Sequence, residues 1–220
     1  MHYARTPAVD VRTRATRPRL VATPAPPSLL LLSPTALPYP DPALTDGAVV
    51  LRPWRTTDVD ALVDAGADPL VHRFRHSLPD GADEAREWLE RAEAARASGD
   101  RIELAIVDAR SPEPEPAFGS VSVWGFHARN RTAYVSYWLL ESGRGGGRAT
   151  AAVTLAARWA FDTLGLERLT ARVETENRAS QRVVERCGFR HEGTLRADVV
   201  DLAGRRVDVR LYGLLRGELA

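Results

Sequence analysis

Thr132-Ala133-Tyr134-Val135-Ser136-Tyr137-Trp138-Leu139-Leu140-Glu141-Ser142-Gly143-Arg144-Gly145-Gly146-Gly147-Arg148-Ala149-Thr150 runs from aromatic and β-branched residues straight into glycine. Tyr134, Val135, Tyr137 and Trp138 favour a strand over Thr132–Leu140. The alanine-rich run near Arg148–Leu164 reads as a helix. Between the two, Gly145, Gly146 and Gly147 remove the Cβ atoms that would keep a ligand away from the main chain. The first turn of the helix carries N–H groups with no partner inside the helix. Those amides, with the helix dipole behind them, suit phosphate oxygens. Arg144 and Arg148 are placed to add charge-assisted hydrogen bonds. The plain alternative is a flexible turn. The run is not a P-loop, because it lacks the Gly-Lys-Ser/Thr ending. Nor is it the dinucleotide fingerprint, whose G-x-G-x-x-G spacing fails after Gly147.

A second cluster lies downstream: Val173-Glu174-Thr175-Glu176-Asn177-Arg178-Ala179-Ser180, then Val183, Val184, Cys187, Gly188 and Phe189. A strand over Arg168–Glu174 leads into a helix over Ala179–Cys187, with Asn177 where a side chain caps free amides. Ser180 stands three residues on, so both side chains are expected at the strand end. Capping alone is the plain reading of Asn177. Gly188 suits a left-handed helix terminator.

Around these, the pattern predicts strands at Ala48–Arg52, Ile102–Val107 and Phe118–Trp124, and a hairpin of Val199–Leu202 with Arg206–Tyr212. Helices are expected near Asp58–Ala65 and over Asp83–Ala97, where Ala85, Trp88, Leu89, Ala92 and Ala95 form one stripe. Pro69 and Pro79 argue against a helix around His72 and His76. Strands adjacent early and late, with helices between, predict an α/β (α+β) layer fold with a mainly antiparallel sheet. Nine of the fifteen prolines fall in residues 1–46, which read as a disordered Pro/Arg-rich tail before a domain over 47–216. A signal peptide competes for that tail, but Leu29–Leu32 is shorter than the usual apolar core of about 7–15 residues.

Composition narrows the function. At 220 residues the chain can bury its own core. No apolar run approaches the roughly 20 residues of a membrane span. A net charge of +1 argues against a general polyanion binder, so neither nucleic acid nor membrane is expected as a partner. The single Cys187 excludes an intramolecular disulfide framework and reads as core. The five histidines show no metal spacing, and no metal is expected.

The segment Tyr137-Trp138-Leu139…Arg144-Gly145-Gly146-Gly147-Arg148-Ala149-Thr150 resembles the acetyl-CoA signature of the GNAT superfamily of N-acetyltransferases, through Arg144, Gly147 and Ala149. Glu176-Asn177-Arg178-Ala179-Ser180…Val183…Gly188-Phe189…Glu192-Gly193 is similar to a block of its RimJ/RimL-type branch, as are Leu51-Arg52-Pro53 and Asp208…Tyr212. The resemblance implies a twisted sheet, splayed in the middle, that grips acetyl-CoA as co-substrate. Trp138, Leu139 and Leu140 would run beside the pantetheine arm. Arg144 through Thr150 would hold the pyrophosphate, with Asn177 and Ser180 near the thioester. Such enzymes move acetyl directly from the thioester to an amine. Ser180 would protonate the CoA thiolate, and Asn177 would position CoA or a water. Relatives often carry a glutamate where this chain has Tyr134. A tyrosine ordinarily titrates near 10 and is a poor base at neutral pH. Glu141, Glu174, Glu176 and His127 are the alternatives.

The expected function is therefore a bacterial, cytoplasmic N-acetyltransferase, monomer or homodimer. Its acceptor amine is first a protein N-terminus and second a small amine. Its acceptor loops are His72–Asp80 and Ala203–Arg206. The alternative is a catalytically degenerate acyl-CoA-binding module.

Overall fold

A computed structural model of the chain describes residues 36–74, 78–111 and 115–220. The expectations for residues 1–35, for His76 and for 112–114 lie outside them.

Among the described residues eight strands form one sheet: β1 Leu44–Thr45, β2 Val49–Pro53, β3 Arg101–Asp108, β4 Gly119–His127, β5 Thr132–Leu139, β6 Arg168–Glu174, β7 Arg190–Val200 and β8 Arg206–Leu215. Their order is β1-β2-β3-β4-β5-β6-β8-β7. Every neighbouring pair is antiparallel except β5 with β6. That parallel pair joins only at Thr132↔Arg168, Ala133↔Leu169 and Tyr134↔Thr170. Past Tyr134 no ladder bond holds the two strands, so the sheet opens in its middle.

Helices cover both faces. On one side lie α1 Val59–Ala67, α2 Pro69–Phe74 and α3 Ala82–Ala97. Leu62, Val71 and Ala85 bury there against Ala105, Val107 and Trp138. The expected stripe of α3 is the face that turns inward. On the other side α4 Arg148–Asp162 and α5 Arg178–Arg186 pack on Ile102, Leu104, Ile106, Ala133 and Val135. The α4 sequence explains its burial: Ala152, Ala156 and Ala160 bring its backbone close to the sheet, while Val153, Leu155 and Trp159 fill the gaps.

Three expectations need correction. Residues 36–46 are not a loose tail. Leu37 is buried, and its amide donates to Arg96 O at 2.9 Å. Tyr39 donates its hydroxyl to Glu93 Oε2 at 2.9 Å, and Leu44–Thr45 pair with β2. Proline forbids helix and ladder bonds, yet it does not stop the apolar residues between prolines from burying. Secondly, Pro69–Phe74 is helical. Proline is suited to the first helical position, and Asp68 Oδ1 accepts the amides of Leu70 and Val71 at 3.0 and 3.1 Å. Thirdly, the hairpin begins at Arg190 and not at Val199. As an edge strand exposed along most of its length, β7 carries no alternating pattern to read.

Gly188 closes α5 with φ +96°. A Cβ there would come within 2.4 Å of Glu218 O, so the last residues fold back on the helix end. Ala220 N donates to Cys187 O at 3.3 Å, beyond the expected limit of residue 216. Cys187 is fully buried, as its sequence context implies, and burial raises its thiol pKa.

Candidate functional site

At the open end of β5 the chain makes a single 3-10 turn, Glu141–Gly143, and enters α4 through Gly145, Gly146 and Gly147. Their φ angles are +87°, +57° and +78°. Three successive left-handed residues are costly for anything but glycine. A Cβ on any of the three would meet nothing within 4 Å, so the bend lies open. Among the described residues no side chain caps α4. Among the described residues the amides of Gly145, Gly146, Gly147 and Ala149 have no hydrogen-bond acceptor. This is an anion seat made of main chain.

The two arginines of the bend act differently from expectation. Arg144 Nη2 donates to both oxygens of Asp68, at 2.6 and 2.7 Å, and Nε donates to Leu139 O at 3.2 Å. Arg148 donates to Asp108 Oδ2 at 3.3 Å and lies over the Phe118 ring at 5.5 Å. Each guanidinium is thus held by a carboxylate beside the seat. Burial works to raise the Asp68 carboxyl, but the Arg144 hydrogen bond and charge, with the amides of Val71 and Leu70, carry it below its ordinary value. Asp108 is pushed down to about 2, chiefly by hydrogen bonds from the Arg110 side chain and amide.

Across the opening, Asn177 Oδ1 accepts Ser180 N at 3.0 Å and caps α5. Ser180 Oγ lies 2.7 Å from Tyr137 Oη, which also donates to Ser180 O at 3.1 Å. Tyr137 belongs to β5, and Ser180 to the helix that follows β6, so this pair bridges one wall to the other. Burial pushes the Tyr137 hydroxyl pKa well above its usual value, which the hydrogen bond with Ser180 only partly offsets. The phenol therefore stays protonated at neutral pH. Tyr137 lies within the glycine signature, where the sequence alone marks no role for it. Nothing short-range marks the pairing, since 43 residues separate it from Ser180.

Tyr134 sits at the last paired position before the opening and stacks on Trp124 at 4.8 Å. Three residues from Tyr137, it faces the other side of β5, and no contact joins it to Ser180 among the described residues. Trp138 is buried on the side of α1 and α3, 6.0 Å from Trp54, rather than at the opening. Leu140 is buried and Leu139 half-buried. Of the alternative bases, Glu141 is exposed, and His127 Nδ1 accepts Asn130 N at 3.2 Å in a hairpin turn. Glu176 Oε2 accepts Arg73 Nη2 at 2.5 Å. Glu174, Thr175 and Glu176 face Arg205, Arg206 and Asp208 across an open cavity of 290 Å³. This places the Ala203–Arg206 turn beside the end of β6. The short helix α2 is thereby tied to both walls of the opening, through Asp68 to the glycine bend and through Arg73 to the segment before Asn177.

Among the described residues no group of three or more His, Cys, Asp or Glu is placed to hold a metal ion, and no helix is long and apolar enough to cross a membrane.

The family pattern of the acetyltransferase (GNAT) domain matches residues 48–190. A Bacillus licheniformis protein named uncharacterized N-acetyltransferase p20 is 28% identical over 173 residues, 78% of this chain and 95% of its own length. RimJ of Mycobacterium smegmatis, solved in complex with CoA-disulfide, superimposes with a TM-score of 0.69 at 24% identity, over 84% of this chain and 90% of that one. A ribosomal-protein-S5-alanine acetyltransferase from Vibrio fischeri gives a TM-score of 0.68 at 17% identity, over 81% and 98%. At these identities the two structures bear on the fold.

Proposed function

The chain belongs to the GNAT acetyltransferase family and is an N-acetyltransferase, and from that premise we propose that it takes acetyl from acetyl-CoA directly to an amine, first a protein N-terminus and otherwise a small amine. One observation carries the proposal: the open glycine bend with unpaired amides stands at the mouth of a split sheet. The diphosphate of CoA fits the bend. The pantetheine amides fit the free edge of β5 beyond Tyr134, in the manner of an added strand. Acetyl-CoA supplies the activated acetyl group.

Gly145, Gly146, Gly147 and Ala149 would hold the diphosphate through their amides, with Arg148, whose amide donates to Gly145 O at 3.3 Å, and Thr150 framing the seat at the start of α4. Arg144 and Arg148, already set by Asp68 and Asp108, would lend positive potential rather than direct grip. Ser180 would give its hydrogen to the departing thiolate and recover one from Tyr137, which burial keeps protonated. Asn177 would keep the start of α5, and so Ser180, in place. The amine would enter past α2 and the Ala203–Arg206 turn. A protein acceptor is favoured by the ribosomal-protein acetyltransferase of like fold.

Thiol release from acetyl-CoA, followed over a panel of peptide N-termini and small amines, tests this. Release with a peptide and acetylation of its α-amine is the expected result. Tight CoA binding without release on any amine would point to a degenerate binding module.

A further inference from the structure

Coenzyme A carries a phosphate beyond its diphosphate, on the 3′ oxygen of the ribose, and the glycine bend makes no provision for it. We propose that Arg186, helped by Arg182, binds this 3′-phosphate, and so makes the chain select acetyl-CoA over acetyl donors that lack it. The inference rests on the acetyl-CoA reading above.

The charges at the bend are already engaged. Arg144 and Arg148 are each held by a carboxylate, Asp68 and Asp108. The bare amides of the bend carry only partial charge and are assigned to the diphosphate. A phosphate monoester carries between about −1.5 and −2 at neutral pH, so it calls for cations of its own. Pantetheine and ribose leave the diphosphate from opposite ends. With the pantetheine arm in the opening of the sheet, the ribose leaves the bend on its outer side, along the start of α4.

The end of α5 lies there. Cys187 Sγ donates to Thr150 O and accepts Thr154 Oγ1, both at 3.6 Å. These contacts pin the last turn of α5 against the first two turns of α4. Thr150 and Thr154 stand about 3 and 9 Å along the helix axis from Arg148, a span that a ribose bridges from the bend. Arg186 directly precedes Cys187, and Arg182 stands one turn earlier on the same face of α5. Both are exposed.

The two guanidiniums are also unspent. Among the described residues neither has a hydrogen-bond or ion-pair partner. Arg178, at the start of the same stripe, instead donates to Gln181 Oε1 at 3.1 Å. The neighbouring carboxylate, Glu185, accepts the Tyr212 hydroxyl at 3.1 Å and so is turned toward β8. From α4 the nearby charge is Arg158, exposed one turn beyond Thr154 and likewise without a partner among the described residues. It adds positive potential to the same groove. A planar guanidinium matches phosphate oxygens two at a time, which an amide bend does not do for a monoester off to one side.

Calorimetry on the full chain compares acetyl-CoA with acetyl-dephospho-CoA, which lacks only the 3′-phosphate. The wild-type chain should bind acetyl-CoA about tenfold more tightly, and the preference should shrink at high salt. Arg186→Gln should remove most of the preference and Arg182→Gln part of it, while affinity for acetyl-dephospho-CoA stays within about twofold of wild type. Arg186→Lys keeps the charge without the fork and should retain more of the preference than Arg186→Gln. In turnover with the best amine of the panel, Arg186→Gln should raise the KM for acetyl-CoA and leave kcat at saturation unchanged. Arg129→Gln removes another exposed, unpaired arginine, in the turn between β4 and β5, and should alter neither affinity. It separates position from net charge. A wild-type preference below about twofold, an Arg186→Gln loss equal for both donors, or an Arg129→Gln loss as large overturns the inference and leaves acetyl transfer standing. A wild-type chain that binds neither donor overturns both.

Discussion

Asp68 and Arg144 meet through two hydrogen bonds, 2.6 and 2.7 Å long, between the end of α1 and the glycine bend. The Asp68 side chain is 10% exposed and that of Arg144 32% exposed, so the pair is only partly screened by water. It ties helix α2 to the seat proposed for the diphosphate, and it fixes where the Arg144 charge stands.

Asp68→Asn should therefore cost about 1–2 kcal/mol at pH 7, the range of a charge-assisted hydrogen bond in a partly buried place. The pH dependence has a definite sign. The folded pKa of Asp68 is depressed, so its contribution is present above the unfolded value, about 3.9, and is lost as pH falls through the folded value. Urea denaturation of the two proteins should diverge at pH 7 and converge toward pH 2. A gap that persists at low pH would show that the carboxylate charge is not what matters.

Gly147 separates shape from charge in the seat. Its φ of +78° makes any side chain strained by about 1–2 kcal/mol, and its open surroundings leave room for one. Gly147→Ala and Gly147→Glu share that strain, but only the glutamate places a negative charge among the bare amides. Calorimetry with acetyl-CoA should show a few-fold loss for alanine and a loss of about 100-fold or more for glutamate, with both proteins folded by circular dichroism. Equal affinities would mean that the diphosphate binds elsewhere.

Local signals carried much of the fold. The strand expected over Arg168–Glu174 is β6 at its observed limits, and the stripe on α3 identified its buried face. The glycine run and Asn177 were legible because a left-handed bend and a helix cap are solved within a few residues. Glu103 was not legible. A glutamate between Ile102 and Leu104 looks like the wet side of a half-buried strand, yet Glu103 is buried and its carboxylate accepts Ser120 Oγ of β4. Asp68 and Arg144 are 76 residues apart, and Tyr137 and Ser180 43, distances at which no periodicity speaks. The misread of residues 36–46 has the same origin: Leu37 buries against an element that proline content does not reveal.

Arg52 shows a motif residue acting on the fold instead of on the ligand. Its guanidinium, 4% exposed, donates to Asp58 at 2.7 and 2.9 Å and to Glu115 at 3.0 Å, locking β2 to α1 and to the chain before β4. Arg52→Met leaves two buried carboxylates without a cation and should cost about 3–5 kcal/mol. Arg52→Lys keeps the charge but not the fork, and should fall between wild type and methionine. Chemical denaturation ranks the three, and a methionine variant within about 1 kcal/mol of wild type would refute the assignment.

Ser180 can be tested without disturbing the helix that carries it. Asn177 caps the Ser180 main-chain amide, not its hydroxyl, so Ser180→Ala keeps the cap. The hydroxyl's recorded partner is Tyr137. Ser180→Ala should thus lower kcat by about 10- to 100-fold, with melting temperature and acetyl-CoA affinity nearly unchanged. Asn177→Ala should do the reverse in stability, losing about 1 kcal/mol with the cap. Tyr137→Phe, which leaves Ser180 without its proton source but keeps the ring in the core, should lower kcat in the same direction by a smaller factor. The order that supports the proton-donor role is Ser180→Ala slowest, Tyr137→Phe between, wild type fastest, read under saturating acetyl-CoA. A Ser180→Ala enzyme with an unaltered rate would reduce the residue to a helix-start position, and the thiolate would have to draw its proton from water.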